Sequence, residues 1–165
     1  MTAPASPGPD GSTGGPPPLK PFGLVLCHDG RFLHEGEPIR NRKLREHFER
    51  NVEYLADEQK FIVRLHHFRG EVVVEEAGFF VREVDFATGE VVLSDGSREA
   101  LDLASLEISK IDEALLCRVK RDLVPDGLLA RFTHAAQSEL LGAVEAEGDG
   151  FSLELGGDRV AFPEI

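Results

Sequence analysis

A helix, strand, turn, strand pattern occurs twice in this chain, and it narrows the possible fold more than any other feature. In the first half, "RKLREHFERNVEYL" spaces Leu44, Phe48, Val52 and Leu55 along one helical face, with Asn41 as N-cap. "FIVRLHHF" and "EVVVEEA" then read as two strands turning at Arg69-Gly70, with Phe61, Val63 and Leu65 alternating against Ile62, Arg64 and His66. In the second half, "THAAQSELLGAVEA" is a helix capped by Thr133, and "GFSLELGGDRVAF" is a hairpin turning at Gly156-Gly157-Asp158. Phe151, Leu153 and Leu155 take the positions that Phe61, Val63 and Leu65 hold in the first half. The expectation is an α+β fold of two related halves, 22–93 and 94–165, each a helix plus an antiparallel hairpin.

Other segments fill in around this pattern. "FGLVLC" is a short apolar strand, and Asp29-Gly30 turns the chain after it. "FFVREVDF" and "EVVLSD" form a hairpin through "ATGE", "SREALDLASLEIS" and "ALLCRVK" are further strands, and Val124-Pro125-Asp126-Gly127 is a turn. Residues 1–21 hold seven of the ten prolines and almost no large apolar side chain. Such a segment cannot bury enough surface to offset its ordering entropy, so a disordered tail is expected there.

Charge removes several classes of function. The net charge is −12, which repels nucleic acid and anionic membrane surfaces, and no apolar run approaches the length of a membrane span. The first residues have neither the basic nor the apolar region of a secretory signal, so a cytoplasmic location is expected. Cys27 and Cys117 make no CxxC pair, and a reduced pair of thiols is expected in that compartment.

Three stretches invite a chemical reading. "CHDGRFLHEGEPI" gathers Cys27, His28, Asp29, His34 and Glu35, and a metal-dependent hydrolase would use His28 and His34 with His66. The spacing lacks the short fixed intervals of a zinc site, so a tight Asp-Gly turn is the favoured reading. In "RLHHFRG", adjacent histidines on a strand point to opposite faces: His67 with Leu65, and His66 with Arg64 on the polar side. No nucleophile elbow, P-loop or dinucleotide motif is present, so neither catalytic residues nor a cofactor are assigned.

The third stretch is basic. Arg40, Arg42, Lys43 and Arg45 occupy four of six positions at a helix start, where cations oppose the helix dipole. Beside free helix N–H groups they suit an anion. Surface pairing with Glu35, Glu37, Glu46 and Glu49 is the competing and simpler explanation. The ligand-binding set expected from sequence is Arg40, Arg42, Lys43, Arg64 and His66.

The chain also resembles a bacterial family known as domain of unknown function 1285. Asp29, Gly30, Phe32, Gly36, Pro38 and Ile39 match its "DG-aromatic…G-x-P-I" start, and Leu44 and Phe48 match its helix pair. "VVVEEAGFF" and then "LLCRVK…GLLARFTHAAQSELL" follow in the family's order, so the resemblance runs from about Leu24 to the end. Phe32 stands where the family usually has Trp, and "RLHHF" replaces its "P-V-E-K"-like strand end. The resemblance implies a duplicated α+β arrangement with a pleckstrin-homology-like C-terminal half. It also implies a ligand or partner site between the halves, in signalling, and carries no established activity. The expected function is non-catalytic binding of an anionic small molecule or a protein partner, in a regulatory setting.

Overall fold

The computed structural model describes residues 19–65 and 68–165; the bulk of the proline-rich tail, and both His66 and His67, lie outside the described residues. The fold is predominantly β, which corrects the expectation of duplicated helix-plus-hairpin α+β units. A first sheet contains β1 (Leu19–Leu26), β2 (Phe32–His34), β3 (Glu37–Pro38), β4 (Val52–Leu55), β5 (Lys60–Leu65) and β6 (Phe68–Val74). A second contains β7 (Phe79–Asp85), β8 (Glu90–Leu93), β9 (Arg98–Ala100), β10 (Glu107–Ile108), β11 (Leu115–Val119) and β12 (Leu128–Phe132). A small third sheet contains β13 (Glu145–Glu147), β14 (Gly150–Leu155) and β15 (Asp158–Phe162). Helix α1 (Arg42–Arg50) joins β3 to β4, and α2 (His134–Gly142) follows β12.

The two large sheets share one topology, a repeat of a different kind from the expected one. Their orders are β3-β2-β1-β6-β5-β4 and β10-β11-β12-β7-β8-β9. In each, one three-strand meander runs outward and a second runs back, so that the first and last strands pair in parallel. The parallel β7/β12 pair also departs from the all-antiparallel arrangement that a pleckstrin-homology-like half implies. Strands β8 and β9, on either side of residues 93 and 94, belong to one sheet. Leu19 and Lys20, placed in the tail by composition, pair with Arg69 and Gly70 in β1.

Local signals account for the helices. Asn41 caps α1 by accepting from the Leu44 N–H at 3.0 Å, and Thr133 caps α2 through the Ala136 N–H at 3.2 Å. The expected α1 face reached Leu55, but the helix ends at Arg50. Asn51 stops it: its side chain donates to the His47 carbonyl at 2.6 Å and its N–H to the Phe48 carbonyl at 3.1 Å. Val52 and Tyr54, good strand formers, then pair with Val63 and Phe61. Leu44 is therefore 40% exposed, and Phe48 is the buried residue of α1. Arg69 and Gly70, expected at a turn, lie in β6 opposite Arg64 and Val63. Ile62 is as buried as Val63, so β5 is covered on both faces rather than one.

Two cores result. Leu24, Leu26, Phe32, Phe48, Val63 and Val72 fill the first unit, and Phe80 reaches into it from the second. Phe79 and Val81, the neighbours of Phe80 in β7, point the other way into the second core, which α2 closes with Ala136 and Leu140 and β14 with Leu153. The β14–β15 turn docks on the β7–β8 turn. Gly156 donates to the Phe86 carbonyl at 2.8 Å, and a Cβ on Gly89 would lie 3.5 Å from Gly156 Cα. Both glycines hold positive φ, 76° and 65°, so neither position suits another residue.

Phe61 joins the two cores. It packs against both, with its ring 4.9 Å from Tyr54 and 6.1 Å from Phe79. Gly78, at the junction of the two units, makes room for it: a Cβ there would fall 2.2 Å from Phe61 Cε1. Gly78→Ala is expected to destabilise the protein by about 1–3 kcal/mol in urea unfolding, an overpacking cost. Adding Phe61→Leu should return part of that loss, because the two substitutions share one space. A neutral Gly78→Ala would show that the ring moves aside freely.

Candidate functional site

The "CHDG" segment forms the turn between β1 and β2. Gly30 donates to the Cys27 carbonyl at 3.0 Å with φ of 87°, and Cys27 donates to the Arg31 carbonyl at 2.8 Å. Its polar side chains are engaged locally. Asp29 accepts from Arg31 Nε at 2.7 Å, and Glu75 takes both the His28 N–H, at 2.7 Å, and Nδ1, at 2.9 Å. Burial alone would raise the Asp29 carboxyl; hydrogen bonds from Arg31 outweigh it and hold it below the usual range. Glu75 is lowered by its bonds from His28.

His28 and His34 of the metal reading do not meet, and His66 lies outside the described residues. His34 sits opposite Leu24 in the register, four residues before His28, or about 13 Å along a strand. Its ring lies against Phe22 at 4.9 Å. No group of three or more metal-ligating side chains gathers among the described residues. The cysteines are separated as well: Cys27 ends β1 and Cys117 lies in the core of the second unit, both unbridged. Burial pushes the Cys117 thiol up to about 12, and burial with the charges of Asp29 and Glu75 raises Cys27. Neither favours the thiolate that nucleophilic chemistry needs.

A cleft of about 480 Å³ lies between the two units, bounded by the β1–β2 turn and the N-terminus of α2. Beneath it is a buried ion network that sequence reasoning missed. Arg131, 8% exposed on β12, donates to Glu76 at 2.8 Å and pairs with Asp112. Ser109 donates to the other oxygen of Glu76 at 2.5 Å. Arg131 holds the Asp112 carboxyl below its ordinary value, while the two carboxylates outweigh burial and keep Arg131 raised. The partners lie 19 to 55 positions apart, so no local motif announces them. With Asp29, Asp112 and Glu113 around its rim, this cleft is acid-rich and does not suit an anion.

The expected basic set is partly assembled. Arg40, Arg42 and Lys43 stand together, exposed, at the start of α1. Arg64 bonds Glu53 at 2.5 Å on the β4–β5 pair, next to the C-terminal end of the helix, and borders a different cleft with Lys120 and Asp95. His66 lies outside the described residues. Wholesale neutralisation by neighbouring glutamates does not occur. Arg42 pairs with Glu46 at 2.8 Å, but Glu49 pairs with Arg82 on β7 instead. The side chains of Arg40, Lys43, Arg45 and Arg50 make no ion pair or hydrogen bond among the described residues. Arg50, which the sequence reading passed over, carries the basic surface to the far end of α1. Its signal was the seven-residue spacing from Lys43, two helical turns.

No family model and no curated protein matches the chain. Solved structures do. A DUF1285 family protein from Silicibacter pomeroyi DSS-3 superposes with a TM-score of 0.60 at 18% identity, over 96% of this chain and 89% of that one. A DUF1285 family protein from Shewanella baltica OS155 gives 0.49 at 14% identity, over 74% and 91%. No helix among the described residues is long and apolar enough to cross a membrane. Over nearly its whole length the chain has a fold similar to that of the S. pomeroyi DUF1285 family protein.

Proposed function

We propose that this is a non-catalytic binding protein that recognises an anionic ligand or an acidic partner through the exposed face of α1. One observation carries the reading. In a chain of net charge −12, four cations that make no ion pair or hydrogen bond among the described residues stand on or beside one nine-residue helix. Arg40, Arg42 and Lys43 form one end of this surface, and Arg50 extends it two turns along the helix. The free N–H groups of the first turn add partial positive charge beside Arg42 and Lys43. Arg64, drawn to Glu53, contributes field rather than contact.

Titration with inorganic pyrophosphate and with polyglutamate, followed through backbone amide shifts, tests this reading. The expected result is saturable change that includes residues 40–51 with either probe and survives physiological ionic strength. Arg42→Glu combined with Lys43→Glu should abolish it. Diffuse shifts that vanish at that salt would leave only a screened surface patch.

A further inference from the structure

We propose that the partner is an acidic peptide segment of another protein, laid extended across α1 and over the neighbouring surface of β7, β8 and the β8–β9 turn. The inference rests on the reading of α1 as an anion-recognising surface and narrows what the anion is. The unpaired cations do not converge. Lys43 and Arg50 are two turns apart, about 10 Å along the helix. Arg40 lies beyond them, and Arg45, two positions from Lys43, stands about 200° around the helix. A single phosphate or carboxylate reaches one or two of these groups, and at exposed sites such pairs are individually worth little. Several carboxylates on one strand engage them together, each further contact being intramolecular once the first has formed. In an extended segment, same-side carboxylates two to four residues apart are about 7–13 Å apart, which spans the Lys43–Arg50 interval.

The relief of the surface agrees with a strand-like guest. A shallow groove of about 280 Å³ runs beside Lys43, His47 and Arg50. A second, of about 320 Å³, lies between α1 and the β7–β8 hairpin, lined by Glu46, Glu49, Arg50, Arg82, Val92 and Ser94. Arg50 and Glu46 border both grooves, while Glu49 is taken up by Arg82 and Glu46 by Arg42, so Arg50 is the cation left to a guest where the grooves meet. Neither is an enclosed pocket able to desolvate a small metabolite. Arg82, already paired with Glu49, ties the helix to β7 and holds the two grooves in register. Leu44, 40% exposed amid the cations, offers an apolar contact that an inorganic anion cannot use.

The test uses the full chain and three probes at 0.15 M salt: an end-capped ten-residue peptide of alternating Glu and Ser, inorganic pyrophosphate, and a ten-nucleotide single strand. The peptide is expected to saturate, shifting amides of residues 43–51 and also of 82 and 92–96. Pyrophosphate should bind at least tenfold more weakly and leave residues 82 and 92–96 unmoved. Lys43→Glu with Arg50→Glu should weaken the peptide tenfold or more, and Lys43→Arg should preserve it. Pyrophosphate binding as tightly as the peptide would overturn this inference while leaving the anion-binding function standing. Tighter binding of the oligonucleotide would also overturn it. If neither peptide nor pyrophosphate saturates, both the inference and the function it rests on fall.

Discussion

Arg131→Met is expected to cost about 3–5 kcal/mol of unfolding free energy, measured by urea denaturation. The substitution keeps much of the side-chain volume but leaves Glu76 buried beside the apolar core with Ser109 as its remaining partner. Breaking a buried pair from one side is far more costly than replacing both members, because the surviving charge has no counter-charge. The double variant Arg131→Met with Glu76→Met should therefore recover most of the loss. A single variant within 1 kcal/mol of the parent would mean that water reaches Glu76 readily. The Asp112 arm of the network adds a pH dependence. Its carboxyl is depressed in the folded state, so its contribution is fully present above the unfolded value of about 3.9 and is lost as pH falls through the folded value. The arm should therefore be intact at neutral and mildly acidic pH and weaken only in stronger acid.

Phe48→Ala is expected to cost about 3–5 kcal/mol, the usual range for emptying a buried aromatic site. Phe48 is 3% exposed, and its ring packs 5.8 Å from Phe32 and 6.5 Å from Phe22. As the buried anchor of α1, it also holds the proposed basic surface in place. Amide exchange across 42–50 should quicken in the variant, and peptide binding should weaken with it. Leu44→Ala is the control. Leu44 shares the periodicity that predicted a longer helical face but is 40% exposed, so its removal should change stability by less than about 0.5 kcal/mol. Equal losses at the two positions would restore the longer face and contradict the chain path at Asn51.

The part of the basic site legible in the sequence was its density: four cations in six positions of an acidic chain stand out without coordinates. Whether they were neutralised was not legible. The glutamates at i+4 and nearby offered partners on paper, and only packing sent Glu49 to Arg82, leaving Arg50 without an ion pair among the described residues. The ion network was hidden for a related reason. Arg131 sits within "LLARF", an unremarkable strand, and its partner Glu76 is 55 residues away.

Local chemistry by itself determined the caps at Asn41 and Thr133, the Asp29-Gly30 turn, the β7–β8 hairpin and the β14–β15 turn at Gly156-Gly157. Each depends on hydrogen bonds and φ values within a few residues, which the chain encodes in its immediate neighbours. Tertiary structure decided the rest. Val52 and Leu55 fit a helical face by spacing, yet they became a strand because β5 offered a partner and Asn51 ended the helix. The parallel joins of β1 to β6 and β12 to β7, which turn two meanders into one sheet in each unit, bring together residues some fifty positions apart. Such pairings are selected by burial of Leu24, Val72, Phe79 and Ala130 on shared faces, a property of the assembled cores that no short window of sequence contains.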